Sequence, residues 1–249
     1  MLKIPPIANT RIVVCYVMRQ LLTLTILIFA LASCKTNSEK VVSENAFQVI
    51  LTDTTNNHRA KWDLDDFNYR TKLESQLGLS NLKNGADSFE IRLWYDFSFS
   101  NSQDLYALKF IDTNCVVSYF RVYPRAINYD DESRDRSWNP YKDPIIDSSF
   151  SKTITLSKSK FQNLNLDSVW ILKSQSDLKI SDSIGFTDCS SFIVEIADKK
   201  RLKYLRHHCS MAYYEKTKLN EILMFEGFCG RITSLARDNN VYIEQKFDD

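Results

Sequence analysis

The sequence predicts an α+β fold: an antiparallel sheet of five to seven strands, built from a meander and a later hairpin, with one long C-terminal amphipathic helix packed on one face. Three observations predict it. Residues 89–123 hold three runs rich in β-formers, joined by short turn sequences. Residues 191–197 and 201–207 form a second pair of such runs around Asp198-Lys199-Lys200. Between Thr217 and Ala236 apolar residues recur every three or four positions, the stripe of an amphipathic helix. Five Gly and five Pro in 249 residues, with 15 Phe and 12 Tyr, fit an ordered aromatic-rich chain rather than a repeat or low-complexity protein.

The chain opens on a leader. Residues 21–33 are apolar and run into Leu31-Ala32-Ser33-Cys34. An apolar run of this length suits a signal-peptide core of about 7–15 residues and is short of the roughly 20 needed to span a bilayer. The tetrad resembles the lipobox of bacterial lipoproteins, in which small residues before a cysteine admit the lipoprotein signal peptidase and the thiol receives a diacylglyceryl group. The resemblance covers the leader alone. It implies that residues 1–33 are removed, that Cys34 is lipidated, and that the protein is held at the bacterial cell envelope, on the inner or outer membrane. A rival reading is an uncleaved anchor reaching back to Ile12, interrupted by Arg19 and Gln20. A charge near the middle of a span costs about 2.5–3.5 kcal/mol on insertion scales. Met18-Arg19-Gln20 reads instead as a start codon and a one-charge n-region, with 1–17 an upstream extension.

Residues 34–45 are polar, lack Gly and Pro, and read as a tether; residues 46–249 read as one globular domain with no internal linker. Loss of residues 1–33 removes Lys3, Arg11 and Arg19 and no acid, leaving 29 basic against 31 acidic residues. A mature chain of slightly negative charge is not a general nucleic-acid binder, which needs a strongly basic face. Four cysteines remain besides Cys34: Cys115, Cys189, Cys209 and Cys229. Four allow three complete pairings, and an oxidising envelope permits bridges.

Element by element, 47–51 (FQVIL) suits a short strand. Asp65 or Asp66 is placed to cap a helix through Tyr69, Leu73 and Leu77, with Gly78 at the left-handed position that ends it. The cluster Asp63, Asp65, Asp66 lacks the glycine turn and distal glutamate of a calcium loop, so capping is the expectation. From 89 to 99, Phe89, Ile91, Leu93, Tyr95 and Phe97 alternate with Glu90, Arg92, Trp94 and Asp96, and strands at 105–111 and 115–123 follow, stopped by Pro124. The stretch 125–144 is long, mixed in charge and carries Tyr129, Trp138 and Tyr141. Such a loop either packs on itself or binds. A fourth strand is expected at 148–156, then a short helix capped by Ser157, then an apolar patch at 166–174 seated by Trp170.

Leu172–Asp177 (Leu-x-Ser-Gln-Ser-Asp) followed by Glu195-Ile196-Ala197-Asp198 resembles small uncharacterised bacterial envelope proteins over about 166–205. That resemblance implies an element order and no activity. In the hairpin, setting Ala197 opposite Arg201 places Glu195 opposite Lys203, Ile193 opposite Leu205 and Val194 opposite Tyr204, and further out Cys189 opposite Cys209. A Cys189–Cys209 disulfide is expected on that register, with Cys115 and Cys229 as buried thiols or a second bridge. Gly227 and Gly230 inside the last helix suggest close approach to the sheet or a break near 230, and 241–247 suggests an edge strand or a trailing end.

For chemistry, His207-His208-Cys209 is the one cluster with metal-ligand character, but adjacent strand residues point to opposite faces, so no metal site and no cofactor is expected. No HExxH, GxSxG or glycine-rich phosphate loop is present. Lys199, Lys200, Arg201, Lys203 and Arg206 make a basic hairpin, expected as ordinary surface charge although it also suits anionic headgroups. The expectation is a non-catalytic, lipid-anchored envelope protein that binds a protein partner through Tyr129, Trp138 and Tyr141, with no nucleic acid. The alternative is an envelope hydrolase whose carboxylates are brought together by the fold, since glycosidase acids carry no local signature.

Overall fold

A computed structural model describes residues 48–50, 58–97, 100–126, 138–181 and 183–241, with 48–50 and 58–60 given by backbone alone. In chain order the elements are β1 (Gln48–Ile50), α1 (His58–Gln76), β2 (Phe89–Asp96), β3 (Gln103–Ile111), β4 (Asn114–Pro124), β5 (Ile146–Ser157), α2 (Lys158–Phe161), β6 (Ser191–Ala197), β7 (Arg201–His208), α3 (Ser210–Thr217) and α4 (Asn220–Asp238). The fold is α+β. One seven-stranded sheet has the order β1-β7-β6-β2-β3-β4-β5; six strands are antiparallel and β1 adds a short parallel edge on β7.

The meander follows the sequence pattern closely. Phe89 pairs with Phe110, Trp94 with Leu105, and Phe110 with Cys115, the last two strands being joined by a tight turn at Asp112, whose φ of 51° is left-handed. The hairpin attaches through β6, which sets Leu93 opposite Val194. The strand stops at Asp96, short of the expected residue 99, and 98–99 lie outside the described residues.

Helices cover both faces of the sheet, α4 on one and α1 on the other. On one, Phe225, Phe228, Cys229 and Ile232 of α4 pack on Ile91, Leu93, Leu108, Val194 and Ile196. Each large apolar side chain so buried contributes about 1.5–3 kcal/mol. The expected stripe of Ile222, Phe225, Cys229, Ile232 and Ala236 is buried, but α4 begins at Asn220, three residues late, because Lys218 takes a left-handed φ of 55° and separates α3 from it. Gly227 and Gly230 lie on the exposed side and neither breaks the helix nor approaches the sheet. On the other face, Phe67 and Leu73 of α1 pack against Trp94, Leu105, Ile193 and Tyr204. That helix starts at His58, so Asp65 and Asp66 are interior residues and not caps. Gly78 (φ +75°) does end it: Leu79 N–H donates to Glu74 O and Gly78 N–H to Ser75 O, the paired bonds of a Schellman turn.

The hairpin register differs from the expected one by a residue. Ala197 faces Leu202, Val194 faces Leu205, Glu195 faces Tyr204 and Ile193 faces Arg206. The cause is the turn: the Asp198 carboxylate accepts the Lys200 and Arg201 N–H groups at 2.7 and 2.8 Å, and Asp198 N–H donates to Arg201 O, so only Lys199 and Lys200 form the loop. The Cys189–Cys209 disulfide forms nonetheless, with Cα atoms 5.1 Å apart. β7 ends at His208, and Asp188 and Cys209 both take left-handed φ (58° and 51°), which swings the two thiols together although Cys209 N–H bonds to Ser190 O. Cys115 and Cys229 are buried free thiols. A loop of 20 residues closed by a bridge contributes roughly 3 kcal/mol in the chain-entropy model. The Cys189→Ser/Cys209→Ser variant is therefore expected to lose about that much in urea unfolding, and loss well under 1 kcal/mol would show that the loop is held by packing.

Candidate functional site

Asp63, Asp66, Arg70 and Glu74 follow one another along α1 at spacings of three, four and four, which puts them on one helical face. That face meets the sheet. Asp63, Arg70 and Glu74 are 6%, 2% and 3% exposed, so the charged stripe is a buried layer rather than a solvated one.

At the C-terminal end of α1, Glu74 accepts from Arg92 Nη1 at 2.6 Å and from the Trp94 indole at 3.0 Å. Arg92 also donates to Glu90 at 2.8 Å and to Ser80 O at 2.7 Å, so each guanidinium nitrogen is engaged. Burial alone would lower its pKa, and the Glu74 and Glu90 carboxylates reverse that. Facing Arg92 on β6 is Glu195, a fully buried carboxyl beside Glu74. Burial first, and repulsion from Glu74 second, hold its carboxyl well above the usual range.

In the middle of the helix Arg70 donates to Gln103 Oε1 at 2.5 Å and to Asp96 Oδ2 at 3.0 Å, with Asp66 3.5 Å from its Nε. Tyr204 donates its hydroxyl to Asp66 at 2.6 Å. Nearer the start, Asp63 accepts from the Ser174 hydroxyl at 3.0 Å and from that of Ser176, and burial pushes its carboxyl up against those bonds.

Arg70, Asp96 and Gln103 form the floor of an open cleft of about 1350 Å³. Trp62 and Tyr69 of α1 make one wall, and residues 139–143 the other. This second wall is docked on α1: Gln76 donates to Pro144 O at 2.7 Å and accepts the Ile146 N–H at 2.9 Å, and Lys72 pairs with Asp143 at 3.0 Å while donating to Lys142 O. Within it Asn139 Oδ1 accepts the Tyr141 N–H at 2.9 Å, and the Trp138 indole donates to Asp143 O at 2.8 Å. Trp138 thus braces the segment. Tyr141 stands 78% exposed, 6.4 Å from the Tyr69 ring, and Trp62 is 62% exposed.

Of the residues singled out from sequence, Tyr141 lines the cleft and Trp138 supports it, while Tyr129 and Cys34 lie outside the described residues. His207 and His208 do point apart. His207 Nε2 donates to Lys173 O at 2.9 Å and its ring stacks on Phe225 at 3.9 Å, whereas His208 meets Ser191 Oγ at 2.9 Å. His208 lies beside Cys189 and Cys209, but those sulfurs are bonded to each other and are not thiolate ligands. Trp62, Arg70, Asp96 and Gln103 were not signalled by any motif; the nearest clue is the helical spacing of Asp63, Asp66, Arg70 and Glu74. No protein-family model and no curated protein matches the chain. Among the described residues no helix is long and apolar enough to cross a membrane.

Two buried groups give the fold opposite pH responses. Burial pushes His207 from 6.5 down to about 4, so below pH 6.5 the unfolded chain takes up a proton that the native one refuses, and about 3 kcal/mol is lost as pH falls to 4. Glu195 is raised, so native stability falls as pH rises from 4.5 through its folded value. In thermal melts across pH, His207→Gln is expected to flatten the acid-side loss. Glu195→Gln should gain on the wild type progressively above pH 4.5; a pH-independent gap would mean that Glu195 ionises freely in the fold.

Proposed function

We propose that the protein is a lipid-anchored protein of the bacterial cell envelope that binds a protein partner, without catalysis, through the cleft between α1 and residues 139–143. The observation that carries this reading is the exposure of Tyr141 and Trp62 on the walls of the cleft. Rigid aromatics offer large amphipathic contact area at little conformational cost, which is why they dominate protein-recognition surfaces. The charges beneath them are already satisfied: Arg70 by Asp96 and Asp66, Lys72 by Asp143.

The same pairing weighs against the hydrolase alternative. General acid catalysis uses a carboxyl whose proton is held to near-neutral pH. The carboxyls that burial raises, Asp63, Glu195 and Glu226, do not line the cleft. The envelope location is supported by Leu31-Ala32-Ser33-Cys34 at the end of the apolar leader.

Two measurements test the parts separately. The intact mass of membrane-extracted protein should correspond to a chain that begins at a lipidated Cys34; an unmodified Cys34 in the wild type ends the anchoring reading. For the cleft, a photo-crosslinking residue at Lys142 should capture a discrete partner, and Trp62→Ala/Tyr141→Ala should reduce that adduct by roughly tenfold while unfolding free energy stays within about 0.5 kcal/mol, as expected of exposed side chains. Undiminished capture by the double variant would exclude the aromatic walls as the binding surface.

A further inference from the structure

We infer that the β6–β7 turn, with Lys199 and Lys200 at its tip, is the surface that rests on the anionic lipid headgroups of the anchoring membrane. This rests on the lipid-anchored reading above and adds to it an orientation.

The first observation is where the chain joins the sheet. β1 runs parallel to β7 with Gln48 in register with Arg201, so the N-terminal segment meets the domain at the β6–β7 turn. Cys34 precedes Gln48 by only fourteen residues, a span that reaches at most about 50 Å fully extended and about 20 Å as a flexible coil. A lipid on Cys34 therefore keeps this turn at high effective concentration near the bilayer.

The second observation concerns which cations are available there. Of the five basic residues in the hairpin, three are committed elsewhere. Arg201 pairs with Asp198 at 3.1 Å and lies over the Trp170 ring at 3.8 Å; Lys203 donates to Trp170 O at 2.5 Å; Arg206 lies 4.0 Å from Asp63 and 3.8 Å from Asp66. Lys199 and Lys200 are exposed and their ammonium groups make no ion pair among the described residues. Asp198, the acid nearest them, is occupied by two backbone N–H groups and Arg201. Exposed lysines without an ion pair suit an anionic interface, to which juxtamembrane basic residues are drawn. Asp87, exposed, follows the Ala86 that bonds the turn, and screening over about 8 Å confines the attraction to headgroups in contact with the tip.

The third observation is the position of the cleft. Its floor residues Asp96 and Gln103 are at the opposite end of the β2–β3 pair from Phe89 and Phe110, and Ala86, just before β2, donates to Asp198 O in the turn. Eight residues of β2 at about 3.3 Å each place the cleft floor at Asp96 and Gln103 roughly 25 Å from the basic turn. With the turn on the headgroups, the cleft faces the aqueous compartment.

The test uses the full-length protein extracted from membranes and reconstituted into vesicles of phosphatidylcholine alone or of phosphatidylcholine with phosphatidylglycerol. Amines are modified with a membrane-impermeant reagent and their rates read by peptide mass spectrometry. Phosphatidylglycerol is expected to slow Lys199 and Lys200 by roughly fivefold, with the effect lost in high salt, and to leave Lys72 and Lys142 at the cleft unchanged. Equal rates in the two vesicles, or equal slowing of Lys72 and Lys142, overturns the inference. Acylation is scored from the intact mass of the same preparation, and if Cys34 carries no lipid the rates are measured with vesicles added to the free chain, where absence of slowing likewise overturns it.

Discussion

Arg92 fixes how α1 lies on the sheet. Its guanidinium is wholly buried, and removing such a charge from water costs several kcal/mol unless every donor is satisfied. Here the partners come from three places in the chain: Glu90 from its own strand, Glu74 from α1, and the Ser80 carbonyl from the connection after the Gly78 turn. Only one translation and rotation of α1 over the sheet brings Glu74 to Arg92 and to the Trp94 indole together. An apolar interface of the same area would tolerate sliding; a forked donor does not. Glu195 is the counterpart of this arrangement, a third carboxyl where one arginine serves, and burial together with Glu74 raises its pKa.

The position of α1 then determines the cleft. With Glu74 fixed, Arg70 one turn earlier falls over the ends of β2 and β3, where Asp96 and Gln103 receive it, and Gln76 near the end of the helix meets the backbone of Pro144 and Ile146. One helix thus supplies the floor contacts, one aromatic wall and the docking points for the other wall. The disulfide secures a different region, where Leu178, Ile180, Tyr213 and Ile222 cluster around Cys209 on the side of the sheet that carries α4. The two stabilising devices are far apart in kind: one is electrostatic and sets geometry, the other is covalent and limits the unfolded chain.

Much of the scaffold was legible because it depends on local periodicity. The meander strands, the buried stripe of α4 and the left-handed Gly78 all follow from alternation, three-four spacing or a single glycine. The hairpin strands were legible and their register was not, since Glu195 with Lys203 and Ile193 with Leu205 make good pairs on paper, while the Asp198 carboxylate shortens the loop by one residue. The bridge between Cys189 and Cys209 was expected from that register and occurs for another reason, the two left-handed residues that turn the strand ends toward each other.

By itself, then, the sequence determined the meander, the two hairpin strands, the buried stripe of α4 and the α+β class, because each rests on interactions between residues close in the chain. It also carries Leu31-Ala32-Ser33-Cys34, a short linear pattern whose resemblance to a lipobox needs no fold to be read. Tertiary structure alone decided that the second face of the sheet is covered and that the charged stripe of α1 is buried. In sequence, Asp63, Asp66, Arg70 and Glu74 look like a solvated helix face, and Glu90 and Arg92 look like the wet side of a strand. Their burial is settled by contacts between residues 12 to 138 apart, where each charge finds its partner only after the helix has docked, and no local pattern distinguishes a charge that will be paired inside from one that will remain in water.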